Sequence, residues 1–586
     1  MTSPIRPRRR LLTGAIAVLA ALCLVSSCSG SKDASTTTQK SSVADVDRLA
    51  SDAAKADFTV MGSLNQVAVT HAEPKSELAL FDSNGEAVDT ATADSQGSHL
   101  FRLVEPGEYR VGTVEKPQKA SAAVKVIDVA ASIPEQSFYS NQKLVKGFQY
   151  ITTRDGTTLS TMVTLPGPIE DGPYPTVVEY SGYSPSKPAS NLIKDRWDDI
   201  SKTLPEGLSM DAVCALAAFA CEAPDQPASL IASALGYAVV SVNMRGTGCS
   251  GGAYDFFEPL QLTDGYDVIE TAAAQPWVLN NKVGMVGLSY PGISQLFVGS
   301  TEPPSLAAIT PLSVYDDTAR GVLAPGGIFN QGFALTWAEE VLDGAKPYGQ
   351  GWEEAVVDDG DEVCAENQLL RGQNVDAVAK AKDNPYYVPS VADPLNPSLF
   401  VDRINVPVFL AGAFQDEQTG GRFPLLFNSF TNAPVTKFSA WNGAHADGFQ
   451  PANVVEWKTF LDFYVRGELT ERPLAAELFL PLIAEEVFGK QMSLPAQRMF
   501  EQYPSFEAKR AAYEAEPSIR LRLESGAGDP ANPGLPDARW DFRTDAWPLE
   551  NTEATPFYFA EGGKLTSKKP SGDEDSYSTF KVTPKL

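Results

Sequence analysis

The chain has 586 residues, a formal net charge of −27 at pH 7 and a hydrophobic fraction of 43%. This length is too great for a single hydrophobic core and predicts three or four domains. The acidic balance leaves no cationic surface for phosphates, so it argues against nucleic acid as a partner.

Residues 1–28 are predicted to be a signal peptide. Four arginines, at positions 6, 8, 9 and 10, precede an apolar run at 11–25 that is too short for a permanent membrane span. The run ends in Val-Ser-Ser-Cys28, which resembles a bacterial lipobox, and this resemblance implies cleavage before Cys28 and a lipid on its sulfur. An ordinary signal peptide with an incidental cysteine is the alternative, and Sec and twin-arginine export both remain open.

The leader therefore predicts an exported protein, attached to the outer face of the bacterial cell membrane by its lipid alone. Residues 29–56 are rich in serine and threonine and are expected to be a polar linker.

The cysteines that remain are even in number, as expected for an oxidising compartment. They are Cys214, Cys221, Cys249 and Cys364. Of the three pairings we favour Cys214 with Cys221 and Cys249 with Cys364, because the first pair closes a short loop. A zinc site is the rival interpretation, but no CxxC or nearby histidine supports a metal. Free buried thiols are the remaining alternative.

Residues 57–135 alternate apolar and polar side chains between turn signals, including Asn84-Gly85 at a hairpin position. This pattern predicts an N-terminal β-sandwich-like module. Its two histidines, His71 and His99, are interpreted as surface residues.

From residue 140 to 475, short apolar strands alternate with helical stretches, which predicts an α/β domain. Strands are expected at 176–180, 237–243, 283–287, 307–312 and 406–412, and helices at 264–275 and 451–467. The strand rhythm stops between residues 313 and 402, and this segment is expected to form a helical cap over an active site. Strand-like runs without helices, the first of them at 518–526, predict a second all-β domain at 476–586.

The segment Gly287-Leu288-Ser289-Tyr290-Pro291-Gly292 follows an apolar strand and precedes a small-residue stretch. In this context a serine is held on a sharp strand-to-helix turn, which exposes its hydroxyl and aims the next backbone N–H at a developing oxyanion. The motif alone is weak, since its second glycine comes one place later than in G-x-S-x-G. A plain strand-to-helix turn is the alternative.

A serine nucleophile needs a base, and histidine suits neutral pH. Of the three histidines only His445 lies outside the N-terminal module, and it follows a strand-like run. The order Ser, acid, His of α/β hydrolases requires an acid between the two. Asp416, four residues after Gly412 at a strand end, is the favoured acid, and the adjacent Glu417 is the alternative.

One glycine pattern indicates a dinucleotide site at first sight. Residues 246–251 fit G-x-G-x-x-G after a strand, but no helix is expected before about Asp264, so no helix N-terminus would meet a pyrophosphate. We therefore predict no cofactor and no metal.

Together, "NMRGTGCSGGAYDFFEPLQLTDGYDVIETAAAQPW" and "KVGMVGLSYPGISQ" resemble the cocaine esterase and X-Pro dipeptidyl-peptidase group (CocE/NonD type) of α/β hydrolases, from about residue 142 to 470. The late glycine of the elbow is what this group shows. The resemblance implies an α/β-hydrolase core with a helical cap and a C-terminal jelly-roll, which is short in this chain. It also implies Ser289 as nucleophile, Asp416 as acid and His445 as base.

The resemblance further implies an oxyanion hole built from the Tyr290 backbone N–H and a tyrosine hydroxyl after the first core strand. Tyr183 matches that tyrosine better than Tyr180, with a packing role as the alternative. The group often has aspartate where this chain has Asn243, which puts an ion pair between that position and Arg245 in doubt.

The expected function is that of a serine hydrolase that cleaves acyl ester or amide bonds of small substrates through an acyl-enzyme. An X-Pro dipeptidyl aminopeptidase and a non-catalytic surface-binding lipoprotein are the alternatives. The oligomeric state is not predicted.

Overall fold

The computed structural model describes residues 46–129, 132–188, 226–342, 346–384, 386–490, 492–531, 534–560 and 562–569, together with 43, 197, 201, 207, 209–216 and 221. The predicted signal peptide, Cys28 and the start of the linker lie outside the described residues. The chain divides into two compact units, residues 1–543 and 544–586.

The first unit begins with β-strands only. Their bounds are Ala54–Lys55 (β1), Thr59–Gly62 (β2), Gln66–Thr70 (β3), Glu77–Phe81 (β4), Ala87–Thr92 (β5), His99–Arg102 (β6), Gly107–Thr113 (β7), Lys119–Ala120 (β8) and Val124–Val126 (β9). One sheet has the order β1-β8-β7-β4-β5 with β9 on β7, and the other the order β2-β3-β6. Gly85 takes the positive φ of the turn between β4 and β5. Val67 of β3, Leu80 of β4 and Val111 of β7 share one buried core.

The centre of the first unit is a ten-stranded sheet. Its strands are Gly147–Thr152 (β10), Thr158–Thr164 (β11), Tyr174–Ser181 (β12), Ala238–Asn243 (β13), Val278–Leu288 (β14), Leu306–Leu312 (β15), Val408–Ala413 (β16), Thr436–Trp441 (β17), Ile519–Ser525 (β18) and Ala538–Thr544 (β19). The order is β10-β11-β13-β12-β14-β15-β16-β17-β18-β19. The neighbours from β13 to β18 run parallel, whereas β11 pairs antiparallel with β10 and with β13.

The helices of the described residues connect and cover these strands. They are Gln136–Ser140, Met210–Leu216, Pro227–Ala234, Pro259–Ala273, Tyr290–Gly299, Phe333–Trp337, Glu353–Asp358, Glu362–Asn367, Ala377–Asp383, Pro389–Ala392, Pro451–Leu461, Leu474–Phe488 and Phe506–Glu514. Within the described residues, no helix is both long and apolar enough to cross a bilayer.

Helices cover both faces of the sheet, which explains why its strands are continuous apolar runs. Val177 and Val286 pack on one face with helices Pro227–Ala234 and Pro451–Leu461. On the opposite face, Gly265 lets its helix approach Tyr180 and Val298, because a Cβ there would lie 2.2 Å from a Val298 methyl. The result is an α/β-hydrolase-like fold.

Between β15 and β16, the described residues of 313–402 form short helices and turns without strands. We keep the name cap for this segment. Asp361 and Asp376 cap two of its helices by accepting hydrogen bonds from the backbone N–H of Cys364 and Ala379. A disulfide between Cys249 and Cys364 ties the cap to the loop after β13, and Cys214 pairs with Cys221. Both predicted pairings are confirmed.

The C-terminal part differs from the jelly-roll-like β-domain expected at 476–586. The described residues up to 543 hold helices Leu474–Phe488 and Phe506–Glu514, and β18 and β19 extend the central sheet. The strand predicted there is present as β18, but its Ile519 and Leu521 are buried against β17 of the central sheet rather than in a separate sandwich. In the second unit, Tyr558–Ala560 (β20) and Lys564–Thr566 (β21) form a two-stranded antiparallel pair.

Candidate active site

Ser289 stands on a strained turn between β14 and helix Tyr290–Gly299. Its φ of 66° and ψ of −124° lie in a region that side chains other than glycine rarely adopt. The Ser289 N–H donates to the carbonyl of Leu312 at 2.9 Å, which anchors the turn to β15. The residue is only 9% exposed. The geometry is that of a nucleophile elbow.

Two glycines of the motif make this turn possible. Gly287 has a φ of 151°, and a Cβ there would lie 2.5 Å from atoms of Pro291. At Gly292 a Cβ would lie 2.5 Å from the carbonyl oxygen of Leu312 in the neighbouring strand. The second glycine is therefore needed one place later than in the simpler motif, because residue 292 is the one that meets β15.

His445 and Asp416 lie on turns that follow two adjacent parallel strands. Ala413, the last residue of β16, pairs in register with Trp441, the last residue of β17, so the turns beyond them meet at one edge of the sheet. There Asp416 Oδ2 lies 2.7 Å from His445 Nδ1. Both side chains are buried.

Asp416 is held by more than the histidine. Its Oδ1 accepts from the backbone N–H groups of Gln418 and Thr419, both at 2.8 Å, and its Oδ2 accepts from the Thr419 hydroxyl at 2.8 Å. Burial acts to raise the pKa of Asp416, but the contact with His445 and these backbone donors outweigh it and leave that pKa lowered.

Glu417, the alternative acid, does not contact the imidazole in this way. Its Oε2 accepts from the backbone N–H of His445 at 3.0 Å. The structure therefore places the two neighbouring carboxylates on different parts of the same residue, with Asp416 on the ring and Glu417 on the main chain.

The second ring nitrogen of His445 is chemically open. Nε2 is buried and has no hydrogen-bond partner among the described residues. Since Nδ1 faces Asp416, Nε2 is the nitrogen left to exchange a proton.

Two donors are placed for an oxyanion near Ser289. Tyr290 is the first residue of the helix, where backbone N–H groups have no partner within the helix. The hydroxyl of Tyr183 lies near the side chain of Ser289 and accepts from Trp337 Nε1 at 3.4 Å. Burial raises the pKa of Tyr183, and the neighbouring Ser289 and Trp337 side chains oppose the rise only in part, so the phenol keeps its proton at neutral pH.

The other tyrosines of this region point elsewhere. Tyr180 is buried in the core and donates to the carbonyl of Gln261 at 2.9 Å. The hydroxyl of Tyr290 is hydrogen-bonded to that of Tyr254. Tyr290 therefore faces Ser289 through its backbone, while its ring is part of the packed interior.

A cavity of about 160 Å³ opens beside Ser289 under the cap. Its wall is formed mostly by apolar side chains of the cap and of helix Tyr290–Gly299, among them Ile293, Val322, Leu335, Val378 and Leu395. At the end near Ser289, Trp337 contacts the rings of Phe256 and Tyr290 edge-on, and these two rings pack against each other at a tilt. The site can therefore accept an apolar group next to the serine.

Charge is scarce on this wall. Asp255 is the one carboxylate among the described residues that line the cavity, and Lys380 lies 2.8 Å from it. The acidic cap residues Glu339, Glu340, Asp358 and Asp359 are exposed to solvent and do not line the cavity.

Arg245 has partners that sequence reasoning did not identify. Its guanidinium lies 2.9 Å from Asp155 and 2.7 Å from Asp264, while Asn243 donates instead to the carbonyl of Tyr183 at 2.7 Å. Asp155 is 90 residues away in sequence, so no local signal could have revealed the pair. The glycine-rich loop that follows Arg245 leads to a helix that begins at Pro259, five residues earlier than expected.

Within the described residues, no cluster of three or more His, Cys, Asp or Glu side chains is arranged to hold a metal ion. The other two histidines lie in the β-rich part that precedes the central sheet, His71 directly after β3 and His99 at the start of β6. His71 is exposed and its Nε2 lies 3.3 Å from Glu366, whereas the ring of His99 packs edge-on against Phe101.

Comparisons with known proteins give the following matches. The family model described as X-Pro dipeptidyl-peptidase (S15 family) matches residues 155–447, half of the chain. A Mycobacterium bovis protein whose name describes it as a serine esterase is 34% identical over 113 residues, 19% of this chain and 18% of that protein. The match thus spans less than a fifth of that relative's length.

Two solved structures are similar over a larger part of the chain. A CocE/NonD family hydrolase from Staphylococcus aureus has a TM-score of 0.48 and 19% identity, and the match covers 73% of this chain and 64% of that one. An aminopeptidase from a marine sediment Thaumarchaeota archaeon has a TM-score of 0.44 and 16% identity, with 75% and 64% covered.

Proposed function

Because the chain belongs to the X-Pro dipeptidyl-peptidase (S15) family, we propose that it is a serine hydrolase, that Ser289, His445 and Asp416 are its catalytic triad and that it hydrolyses esters with an apolar acyl group. Family membership favours an enzyme over the alternative of a non-catalytic surface-binding lipoprotein. It leaves open whether the scissile bond is an ester or a peptide.

The observation that carries the ester proposal is the cavity beside Ser289. Its aliphatic and aromatic wall suits a hydrocarbon chain, and its volume of about 160 Å³ has room for several methylene groups. Each buried methylene contributes about 0.8 kcal/mol to binding of the acyl group, or about a fourfold gain in kcat/KM.

The proposed reaction begins with proton transfer from the Ser289 hydroxyl to His445 Nε2, while the serine oxygen attacks the ester carbonyl carbon. Asp416 keeps the imidazole in the required tautomer and stabilises its positive charge. The tetrahedral intermediate collapses as His445 returns the proton to the departing alcohol. A water molecule, deprotonated in turn by His445, then releases the acid and regenerates Ser289.

The negative oxygen of the two tetrahedral intermediates is proposed to bind the Tyr290 N–H and the Tyr183 hydroxyl. The phenol oxygen accepts from Trp337, which leaves its own hydrogen directed at the site. Such preorganised donors stabilise the transition state because they need no reorientation as charge develops.

A dipeptidyl aminopeptidase would need a carboxylate for the charged N-terminus of its peptide substrate. The cavity wall offers Asp255, but the charge of Asp255 is already balanced by Lys380. An ammonium group would have to compete with this ion pair in apolar surroundings, which is unfavourable. The wall therefore favours an uncharged acyl group.

The test uses p-nitrophenyl esters of increasing chain length, with Ala-Pro-p-nitroanilide for the peptidase alternative. We expect kcat/KM to rise about fourfold per methylene from acetate upward until the cavity is full. Ser289→Ala should abolish both turnover and labelling by a fluorophosphonate probe. Preference for the dipeptide substrate, or a flat chain-length profile, would overturn the acyl specificity proposed here.

We also propose that the enzyme is exported and held at the outer face of the membrane by a lipid on Cys28. The two disulfides support an oxidising compartment. Expression with radiolabelled palmitate should label the wild type and not Cys28→Ser, which should appear in the soluble fraction. Equal labelling of both would contradict the proposal.

A further inference from the structure

The loop that carries Tyr183 is held by two carboxamide side chains outside the triad. The carbonyl oxygen of Tyr183 accepts from Asn243 Nδ2 at 2.7 Å and from Gln350 Nε2 at 2.9 Å. Gln350 Nε2 also donates to the carbonyl of Gly182 at 2.8 Å. Two consecutive carbonyls of this loop are therefore fixed by amide donors rather than by sheet hydrogen bonds.

Asn243 hydrogen-bonds to both ends of the loop from Tyr183 to Ser186. It is the last residue of β13, it is fully buried, and its Oδ1 accepts from the N–H and the hydroxyl of Ser186 at 3.1 and 2.7 Å. Its Nδ2 donates to Tyr183 and to Thr247 Oγ1. An aspartate at this position would keep the acceptor and lose the donor, and its charge would repel the Tyr183 carbonyl.

Gln350 reaches the same loop from the cap. Its Oε1 accepts from the Ser184 hydroxyl at 3.0 Å and from the indole of Trp352 at 3.1 Å. Trp337, also in the cap, donates to the Tyr183 hydroxyl. The cap thus contacts Tyr183 at its main-chain carbonyl through Gln350 and at its phenol through Trp337.

We infer that Asn243, from the central sheet, and Gln350, from the cap, are positioning residues that hold the Tyr183 hydroxyl near Ser289. This inference rests on the proposed function, since it assigns Tyr183 to the oxyanion. Among the described residues, neither carboxamide hydrogen-bonds to Ser289 or His445, so both act through the Tyr183 loop.

The test is a double-mutant cycle with the isosteric changes Asn243→Asp and Gln350→Glu, each made alone and with Tyr183→Phe. With p-nitrophenyl butyrate, Tyr183→Phe should lower kcat by about a hundred- to a thousandfold. Asn243→Asp and Gln350→Glu should each lower kcat by about tenfold or more with KM changed less than about threefold, because the loss lies in the transition state.

In the Tyr183→Phe background, the same two changes should cost less than about threefold, because the group they position is gone. Equal losses in both backgrounds, or no loss in the wild-type background, would overturn the inference. Asn432→Asp is the matched control, since its exposed amide also donates to a backbone carbonyl, that of Asp402 at 2.8 Å, far from the cavity wall. Its kcat should equal that of the wild type.

A crystal structure of each variant gives a readout that needs no activity. In Asn243→Asp and Gln350→Glu, the Tyr183 hydroxyl should lie about 1 Å or more farther from the Ser289 side chain than in a wild-type crystal structure, a displacement large enough to cost catalysis. An unmoved hydroxyl would overturn the inference even if the wild type proved inactive on esters, a result that by itself contradicts only the proposed function. If Asn243→Asp fails to fold, Gln350→Glu at its half-buried cap position carries the test.

Discussion

Two buried groups of charged side chains in the first unit differ in one respect. Around Arg245, the guanidinium donates to Asp264 through Nε and Nη2, and its Nη1 lies 2.9 Å from Asp155 and donates to Thr157 at 2.8 Å. At the His445–Asp416 pair, every carboxylate oxygen has a donor, yet His445 Nε2 has no partner among the described residues. One group is saturated and the other is open at one atom.

This difference indicates that the Arg245 group contributes to stability and that the His445–Asp416 pair is available for proton transfer. A saturated cluster has no atom left with which to exchange a proton, so its removal should change stability and leave the reacting atoms in place. By contrast, the buried Nε2 of His445 lacks a hydrogen bond that folding could have supplied, and it remains able to exchange a proton. Burial alone does not distinguish the two groups, because Arg245, Asp264, His445 and Asp416 are all buried.

The largest expected effect is at the open group. Ser289→Ala should lower kcat by about a millionfold, because attack and acyl transfer both need its hydroxyl. The melting temperature should not fall, since Ser289 donates to Leu312 through its backbone. Ester hydrolysis and thermal unfolding check this prediction. A variant that kept most of its activity would show that the nucleophile is another residue.

Asp416→Asn tests the acid of the same group. We expect about a ten-thousandfold lower kcat, because an amide favours the wrong tautomer of His445. Glu417→Gln is the matched neighbour. Glu417 accepts from the His445 backbone N–H and from Gln418 Nε2, not from the imidazole, so the change should cost less than about tenfold. Equal effects at both positions would remove the distinction between the two carboxylates.

Arg245→Met tests the saturated cluster. It leaves Asp155 and Asp264 buried without their cation, which should lower the free energy of unfolding by about 3–5 kcal/mol. The folded fraction should retain its kcat. Lys119→Met, at the exposed pair with Asp57, is the control and should leave the melting temperature unchanged. Loss of kcat in fully folded Arg245→Met would contradict the distinction between the two groups.

Glu179 gives a smaller, pH-dependent effect. Burial raises its pKa from 4.5 to about 7, and the hydrogen bonds from the Ser229 N–H and hydroxyl oppose that rise only in part. The native state therefore holds this proton where the unfolded chain has lost it, so stability falls as the pH rises from about 4.5 to 7. Glu179→Gln removes this loss.

Unfolding at pH 5 and pH 8 measures that effect. Relative to wild type, Glu179→Gln should gain roughly 3 kcal/mol between these pH values, at about 1.4 kcal/mol for each unit of pKa shift. A gain that does not depend on pH would contradict the raised pKa.

Local pattern was sufficient for the elements that depend on neighbours in sequence. The apolar runs predicted β12 to β16, and the glycines around Ser289 predicted its turn, because backbone conformation there depends on residues within five positions. The scarcity of histidine singled out His445 without any structural information. The same local reading predicted strands at 518–525, yet it could not assign them to the central sheet.

What the sequence left open involved residues that are distant along the chain. The choices between Asp416 and Glu417 and between Tyr183 and Tyr180 depend on which side chain meets a partner from another strand or from the cap. The partners of Arg245 and the apolar wall beside Ser289 likewise combine segments that are far apart in sequence. Propensity and spacing decide local conformation, whereas only packing in three dimensions decides which side chains share a buried space and which atom is left without a partner.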